Sequence, residues 1–338
     1  MSETRVRWGI ISTARIGTTA FIPAMRETSN GEISAVASRE REKGEAFASE
    51  YDIPNVFEGY EAMLASDAVD AVYNALPNTM HAEWTIKAAE HGKHIFCEKP
   101  LAVSSSEAKA MADACEANGV HLLEAFVFYF HEQTSKIRQL LDEGEIGELL
   151  QMAVHFCFRL PRDRPNIRLD KDLGGGALLD VGSYAITFVR FAFDEEPVSV
   201  QASVYVDPEY GVDTRTSAIL EFAEGRSAVV QVGMDSPVGP GAILMTSKGV
   251  LEVPQPFHPR TDAQLVVRRI GDYPTRADVV EKMPFGSDGQ PFAPALEHFN
   301  DCVLDGSPLL VSPRNAIGTL CVIDAIHQSA KEGRRVDL

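Results

Sequence analysis

The residues best suited to chemistry fall in two distant stretches. One is Gly174-Gly175-Gly176-Ala177-Leu178-Leu179-Asp180-Val181-Gly182-Ser183-Tyr184, where three glycines lead into an apolar run that reads as a helix over 178–193. Asp180 and Tyr184 are four apart and would share one helix face. One reading makes Asp180 a partner of the helix dipole and Tyr184 a core residue. The other presents a carboxylate and a phenol to a substrate. The second stretch, Cys97-Glu98-Lys99-Pro100-Leu101, places a lysine before a proline at the end of a strand-like run. That position favours extended backbone, and the lysine either lies on the surface or points into a crevice. A phenol of pKa about 10 is barely ionised near neutrality unless a cation lowers it. With Lys99 as that cation, Tyr184 could take the hydroxyl proton of a carbinol while Asp180 orients a sugar hydroxyl or the lysine. This is acid–base catalysis beside a cofactor that carries the hydride.

A place for such a cofactor is legible upstream. In Gly9-Ile10-Ile11-Ser12-Thr13-Ala14-Arg15-Ile16-Gly17 a dinucleotide fingerprint would put glycines at 12, 14 and 17; here only Gly17 is one. Ser12, Thr13, Ala14, Arg15 and Ile16 would bring backbone amides to a pyrophosphate at a helix N-terminus, or form a generic strand–helix turn. After the second strand, Ser38 and Arg39, with Lys43 a helical turn on, fit a 2′-phosphate, although Glu40 opposes it. NADP is therefore expected, with NAD as the alternative; a solvated helix start is the bland reading. After the fourth strand, Leu76, Pro77, Asn78 and His81 stand at a strand end where such sheets bind ligands. No metal site is expected: nine histidines form no HExxH, and His131, His155, His258 and His298 read as core or surface residues. GxSxG is absent. Five cysteines without a CxxC pair argue against a disulfide scaffold or structural zinc.

The elements that would position these residues alternate up to about residue 125. Strands are expected at 5–11, 32–37, 56–57, 68–74, 94–97 and 121–125, with helices at 14–25, 40–51, 60–65, 81–91 and 104–118. Such alternation predicts a doubly wound parallel sheet. Beyond it, helices at 135–143 and 178–193 flank strand-like runs spaced as an antiparallel meander, residues 271–292 read as a loop, and helices at 292–304 and 313–332 close the chain. The fold class is α/β: a Rossmann domain over 1–125, then an α+β domain over 126–338 with a large open-faced, mostly antiparallel sheet. The C-terminal helix could pack back on the first domain.

Composition agrees with an enzyme. The chain has 338 residues, 45% hydrophobic and 24% charged, enough for two cored domains. Its 31 basic and 49 acidic residues give a net charge of −18, which opposes nucleic acid and anionic membranes as partners. The opening MSETRVRWG is charged where a signal peptide would be apolar, and no uninterrupted apolar run approaches the roughly 20 residues of a membrane span. A soluble, reduced, cytoplasmic protein is expected.

Taken together, WGIISTARIG, ALPNTMHAEW, CEKPLA, EAFVFYFH, NIRLDKDLGGGALLDVGSY and TSKGVLEVPQPFHPR resemble the Gfo/Idh/MocA family. The resemblance runs over nearly the whole chain. It implies a Rossmann domain, an open-faced sheet domain and NAD(P) in the crevice. The family usually carries Asp-x-x-x-His; Asp180-x-x-x-Tyr184 is similar to the branch with glucose–fructose oxidoreductase, NADP-dependent D-xylose 1-dehydrogenase and trans-dihydrodiol dehydrogenase. By position, Lys99 and Tyr184 then match the catalytic pair and Asp180 the substrate-orienting carboxylate. Asn166 and Arg168 match a segment reaching the active site, assigned to substrate and cofactor respectively, and Glu98 lies beside the cofactor. The implied reaction is oxidation of a sugar or cyclic polyol carbinol, first an aldose at C1. A dihydrodiol dehydrogenase or sugar ketone reductase is the alternative, with an NAD-dependent glycosidase or a non-catalytic sensor behind. Tyr129 and Glu132 stand where relatives commonly carry Arg and Pro. There is no long N-terminal extension, so tightly retained cofactor is less expected. Relatives cover the open sheet face by association, which predicts a homo-dimer or homo-tetramer.

Overall fold

The computed structural model describes residues 5–270, 278–286 and 288–338. Its strands are β1 (Val6–Ile11), β2 (Gly31–Ser38), β3 (Asn55–Glu58), β4 (Ala71–Asn74), β5 (His94–Cys97), β6 (Leu122–Glu124), β7 (Leu149–Arg159), β8 (Ser199–Val206), β9 (Asp213–Glu221), β10 (Ser227–Gly233), β11 (Asp235–Thr246), β12 (Gly249–Val253), β13 (Gln264–Ile270), β14 (Asp278–Pro284) and β15 (Val336–Asp337). Its α-helices are α1 (Ile22–Met25), α2 (Arg41–Tyr51), α3 (Tyr60–Leu64), α4 (His81–Glu90), α5 (Ser105–Ala117), α6 (Glu132–Asp142), α7 (Ser183–Phe193), α8 (Ala293–Asp305) and α9 (Asn315–Glu332).

Two compact units result, the first made of residues up to Val127 together with Gly289–Ile317. Its sheet is parallel throughout, in the order β3-β2-β1-β4-β5-β6. The strands are apolar because both faces are covered. Trp8, Phe21, Tyr73 and Phe96 are buried at the centre, Phe21 stacked on Tyr73 at 4.2 Å. The expected helix over 14–25 is a π turn, Gly17–Phe21, followed by the short α1. The helix expected at 292–304 sits in the 126–338 stretch of the sequence, yet α8 lies in this unit. The indole N–H of Trp8 explains the placement: it is buried and donates to Asn300 Oδ1 at 2.8 Å, with the Phe299 ring 5.3 Å away.

The second unit comprises Phe128–Asp288 and Gly318–Leu338. Its nine-stranded sheet runs β14-β13-β12-β11-β7-β10-β9-β8-β15. It is not a simple meander, because β7 inserts between β11 and β10 and pairs parallel with β10. The expected loop over 271–292 is corrected in part: β14 pairs with β13, while 271–277 and 287 lie outside the described residues. One helical stretch, Lys171–Phe193, is long and apolar enough by length and mean hydropathy to cross a membrane, although Asp180 and Arg190 interrupt its apolar run. Its apolar window is 89% buried inside the protein, so it is a core element. The other face of the sheet is open. Ile219, Val229, Ala153 and Ile243 lie in one register row across β9, β10, β7 and β11, with the three larger side chains more than 40% exposed.

Candidate active site

The first unit brings its candidate residues to the carboxyl ends of β1, β2, β4 and β5. The strand order reverses between β1 and β4, where such sheets leave a ligand crevice. Ser12 follows β1 at φ +90°, a conformation that suits glycine and strains a side chain. The backbone thus keeps the shape of the fingerprint's first glycine. The Ser12 amide donates to the Ala37 carbonyl at 3.0 Å, and its Oγ accepts the Ala14 amide at 3.3 Å. Thr13 and Ala14 are partly exposed, Arg15 and Ile16 are exposed, and a helical segment opens at Arg15. Its first amides have no acceptor within the helix, which fits a pyrophosphate.

At the end of β2, Ser38 is buried and its Oγ accepts the Glu40 amide at 3.3 Å, while Arg39 is exposed. Lys43 Nζ lies 2.7 Å from Glu40, so that pair cancels and Arg39 remains the cation at this strand end. Beyond β4, Leu76 is buried, with Pro77 and Asn78 partly exposed. His81 departs from the expected cofactor contact, because its ring has no exposed surface. Nδ1 lies 2.9 Å from the Pro100 carbonyl and Nε2 2.8 Å from that of Leu76. Burial holds its pKa below the ordinary range, against the pull of those carbonyls. His81 ties the turn after β4 to the turn carrying Lys99. Glu98 and Lys99 are partly exposed, and the Glu98 carboxylate accepts the Tyr73 hydroxyl.

In the second unit, the run from 166 to 184 closes on itself. Asn166 accepts the Arg168 amide at 3.0 Å, and Arg168 Nε donates to Asp180 Oδ2 at 2.6 Å. The glycines make this closure possible. Gly175 and Gly176 donate to the carbonyls of Asp170 and Arg168 at 2.8 and 3.0 Å. A Cβ on Gly175 would lie 2.6 Å from the Arg168 oxygen. Asp180 then falls in a π turn, Leu178–Gly182, before α7. Hydrogen bonds in a π turn join residues five apart, one more than in a regular helix, and the turn widens the backbone between Asp180 and Tyr184. Asp180 faces Arg168, whereas Tyr184 Oη is 3.1 Å from His258 Nε2.

Two residues of this site were not singled out by sequence. Asp213, buried at the start of β9, accepts the Leu178 amide at 2.7 Å and so caps the turn bearing Asp180. His258 is the other; its only signal was the PQPFHPR stretch. Among the described residues no group of His, Cys, Asp or Glu could hold a metal.

The family described as "Oxidoreductase family, NAD-binding Rossmann fold" matches residues 6–126, and the GFO/IDH/MocA C-terminal domain matches residues 134–252. The chain belongs to the GFO/IDH/MocA family. It is an oxidoreductase of that family, and its six-stranded sheet is the family's Rossmann fold. Relatives within it include a D-xylose 1-dehydrogenase (NADP(+)) from Haloferax volcanii, 38% identical over 98% of this chain and 99% of that one. A trans-1,2-dihydrobenzene-1,2-diol dehydrogenase from Xenopus laevis is 31% identical over 90% of this chain and 92% of its own. Among solved structures, a 3-ketoreductase from Actinomadura kijaniata in complex with NADP and TDP-benzene superposes with a TM-score of 0.87 at 30% identity, covering 96% of this chain and 98% of that one. Lys99 lies in the first matched GFO/IDH/MocA segment and Asp180 and Tyr184 in the second, whereas His258 lies outside both.

Proposed function

We propose that the chain is an NADP-dependent sugar oxidoreductase, moving a hydride between the nicotinamide and a carbinol of a sugar or cyclic polyol. Oxidation of an aldose at C1 to the lactone is the favoured reaction. The observation that carries this reading is the phenol of Tyr184, whose Oη lies 3.1 Å from the imidazole Nε2 of His258. A phenol so placed can take up and give back a proton. The likeness to an NADP(+)-linked D-xylose dehydrogenase over the full chain supports the substrate class.

The residues divide the work. Ser12 to Ile16 hold the pyrophosphate through backbone amides, while Ser38 and Arg39 take the 2′-phosphate, with Lys43 beside them. When bound, NADP supplies the hydride acceptor. Tyr184 takes the hydroxyl proton, and Lys99 contributes the positive charge that eases ionisation. Asp180, oriented by Arg168, accepts a hydroxyl hydrogen bond from the sugar, with Asn166 on the same loop. The open sheet face of the second unit is covered by a second copy of the chain, because a continuous exposed apolar row disfavours a monomer. Titration with NADP and NAD, followed by an absorbance screen with aldoses and polyols, tests the assignment. Preferential NADP binding with turnover of one sugar is expected. Tyr184→Phe should keep cofactor binding and lose most turnover, and near-normal turnover would remove the phenol from the mechanism.

A further inference from the structure

We infer that His258 is the proton relay of Tyr184, passing to water the proton that the phenol collects. The inference rests on the proposed role of Tyr184. His258 follows β12 in the run Pro256-Phe257-His258-Pro259. Its neighbours anchor it: Phe257 and Pro259 are buried, and Phe257 stacks on Phe156 at 5.1 Å and packs 5.5 Å from the Tyr184 ring. His258 is an exposed residue, whereas Tyr184 retains only 5% of its surface. The hydroxyl of a nearly buried tyrosine is thus joined by a 3.1 Å hydrogen bond to the imidazole of an exposed histidine.

The order of proton affinities makes the arrangement useful. A phenol of pKa about 10 gives few phenolate ions near neutrality, while an imidazole of pKa about 6.5 is a ready base. As the carbinol hydroxyl gives its proton to Tyr184 Oη, Tyr184 gives its own to His258 Nε2. Bound NADP would supply the acceptor for the hydride that the carbinol carbon gives up as it becomes a carbonyl. The imidazolium then releases its Nδ1 proton to water. One hydride and one proton leave the substrate, and Tyr184 never has to persist as a phenolate. Reduction runs the same path backwards.

The test uses the full-length protein with NADP and the sugar found by the screen. His258→Ala and His258→Gln should both lower kcat by about 100-fold, the lower end for a positioned acid–base group, with KM and NADP affinity unchanged. Imidazole added to the alanine variant should restore activity. Glutamine can still hydrogen bond to the phenol but cannot carry a proton, so a glutamine variant within about twofold of wild type would show a merely positioning role and overturn the relay. A second readout needs no turnover. Nitrogen-15 NMR of the protein alone should find His258 with its proton on Nδ1 and Nε2 as acceptor; a proton resident on Nε2 would overturn the relay. Full activity in both variants beside an active wild type refutes the relay and leaves the sugar reading standing. A wild type that binds NADP but turns over no sugar refutes both.

Discussion

Replacing Asp213 with alanine should loosen the turn that carries Asp180, and the structure sets the size of the effect. The carboxylate is 6% exposed and accepts the Leu178 amide at 2.7 Å. Burial pushes its pKa up, opposed by that amide and by His327. The cradle is tight: a Cβ on Gly176, whose φ is +121°, would lie 2.2 Å from Asp213 Oδ1. A hydrogen bond to a charged group contributes about 1.5–3 kcal/mol, and a helix cap about 1 kcal/mol. Desolvation of the carboxylate cancels part of this, leaving a loss of about 2 kcal/mol for Asp213→Ala. For a unit of this size that is a fall in Tm of about 4–8 °C, read by scanning calorimetry on the second unit's transition. Asp213→Asn keeps a carbonyl acceptor and removes the buried charge, so its cost should stay below about 1 kcal/mol. The alanine variant should also lose activity, because Asp180 moves with the turn. An alanine variant melting within about 1 °C of wild type, or an asparagine variant less stable than the alanine one, would refute the reasoning.

Arg39→Ala should weaken NADP about tenfold more than NAD, since the lost contact is to the 2′-phosphate; equal losses by calorimetric titration contradict the cofactor assignment. His94 should make the first unit acid-sensitive. Burial, and then the charge of His121, hold its pKa down to about 4, and its Nδ1 accepts the His121 amide at 3.0 Å. The unfolded chain binds this proton more readily between about pH 6.5 and pH 4, so the stabilisation is complete above that window and is lost as pH falls through it. The slope should amount to about 1–2 kcal/mol after allowance for partial exposure, and His94→Asn should flatten it; an unchanged slope in denaturant melts contradicts the assignment. Val229→Asp, in the middle of the open row, should yield monomers by light scattering, and an oligomer of unchanged mass would show that another surface associates.

The sequence disclosed the parts whose signal is local. Each strand of the first sheet is a short apolar run bounded by a helix, and β1 to β6 fall within three residues of the expected starts. The start of the helix expected over 104–118 is marked by a serine cluster before an alanine-rich run, and Ser104 does accept the Glu107 amide. What stayed hidden depends on residues far apart in the chain. The parallel pairing of β7 with β10 is decided by sheet assembly, not by the alternation of either strand. The π turn at 178–182 has no compositional mark, and the residue that holds its first amide, Asp213, lies on another strand. His258 looked like any surface histidine because its partner lies 74 positions away. Ser12 illustrates the converse: the residue type argued against a fingerprint that the backbone nevertheless adopts.

The return of α8 to the first unit bears on how the protein is made. Trp8 and Asn300, joined by a buried hydrogen bond, are separated by 292 positions. At a synthesis rate of roughly 5–20 residues per second, the ribosome needs about 10–35 seconds to pass from the end of the first segment to α8. During that interval Trp8, Phe96 and Asn30 await the surface that buries or satisfies them. A nascent chain in this state offers an aromatic patch to chaperones and to its neighbours on the same message. The yield of native enzyme should therefore depend on how fast the middle of the chain is translated.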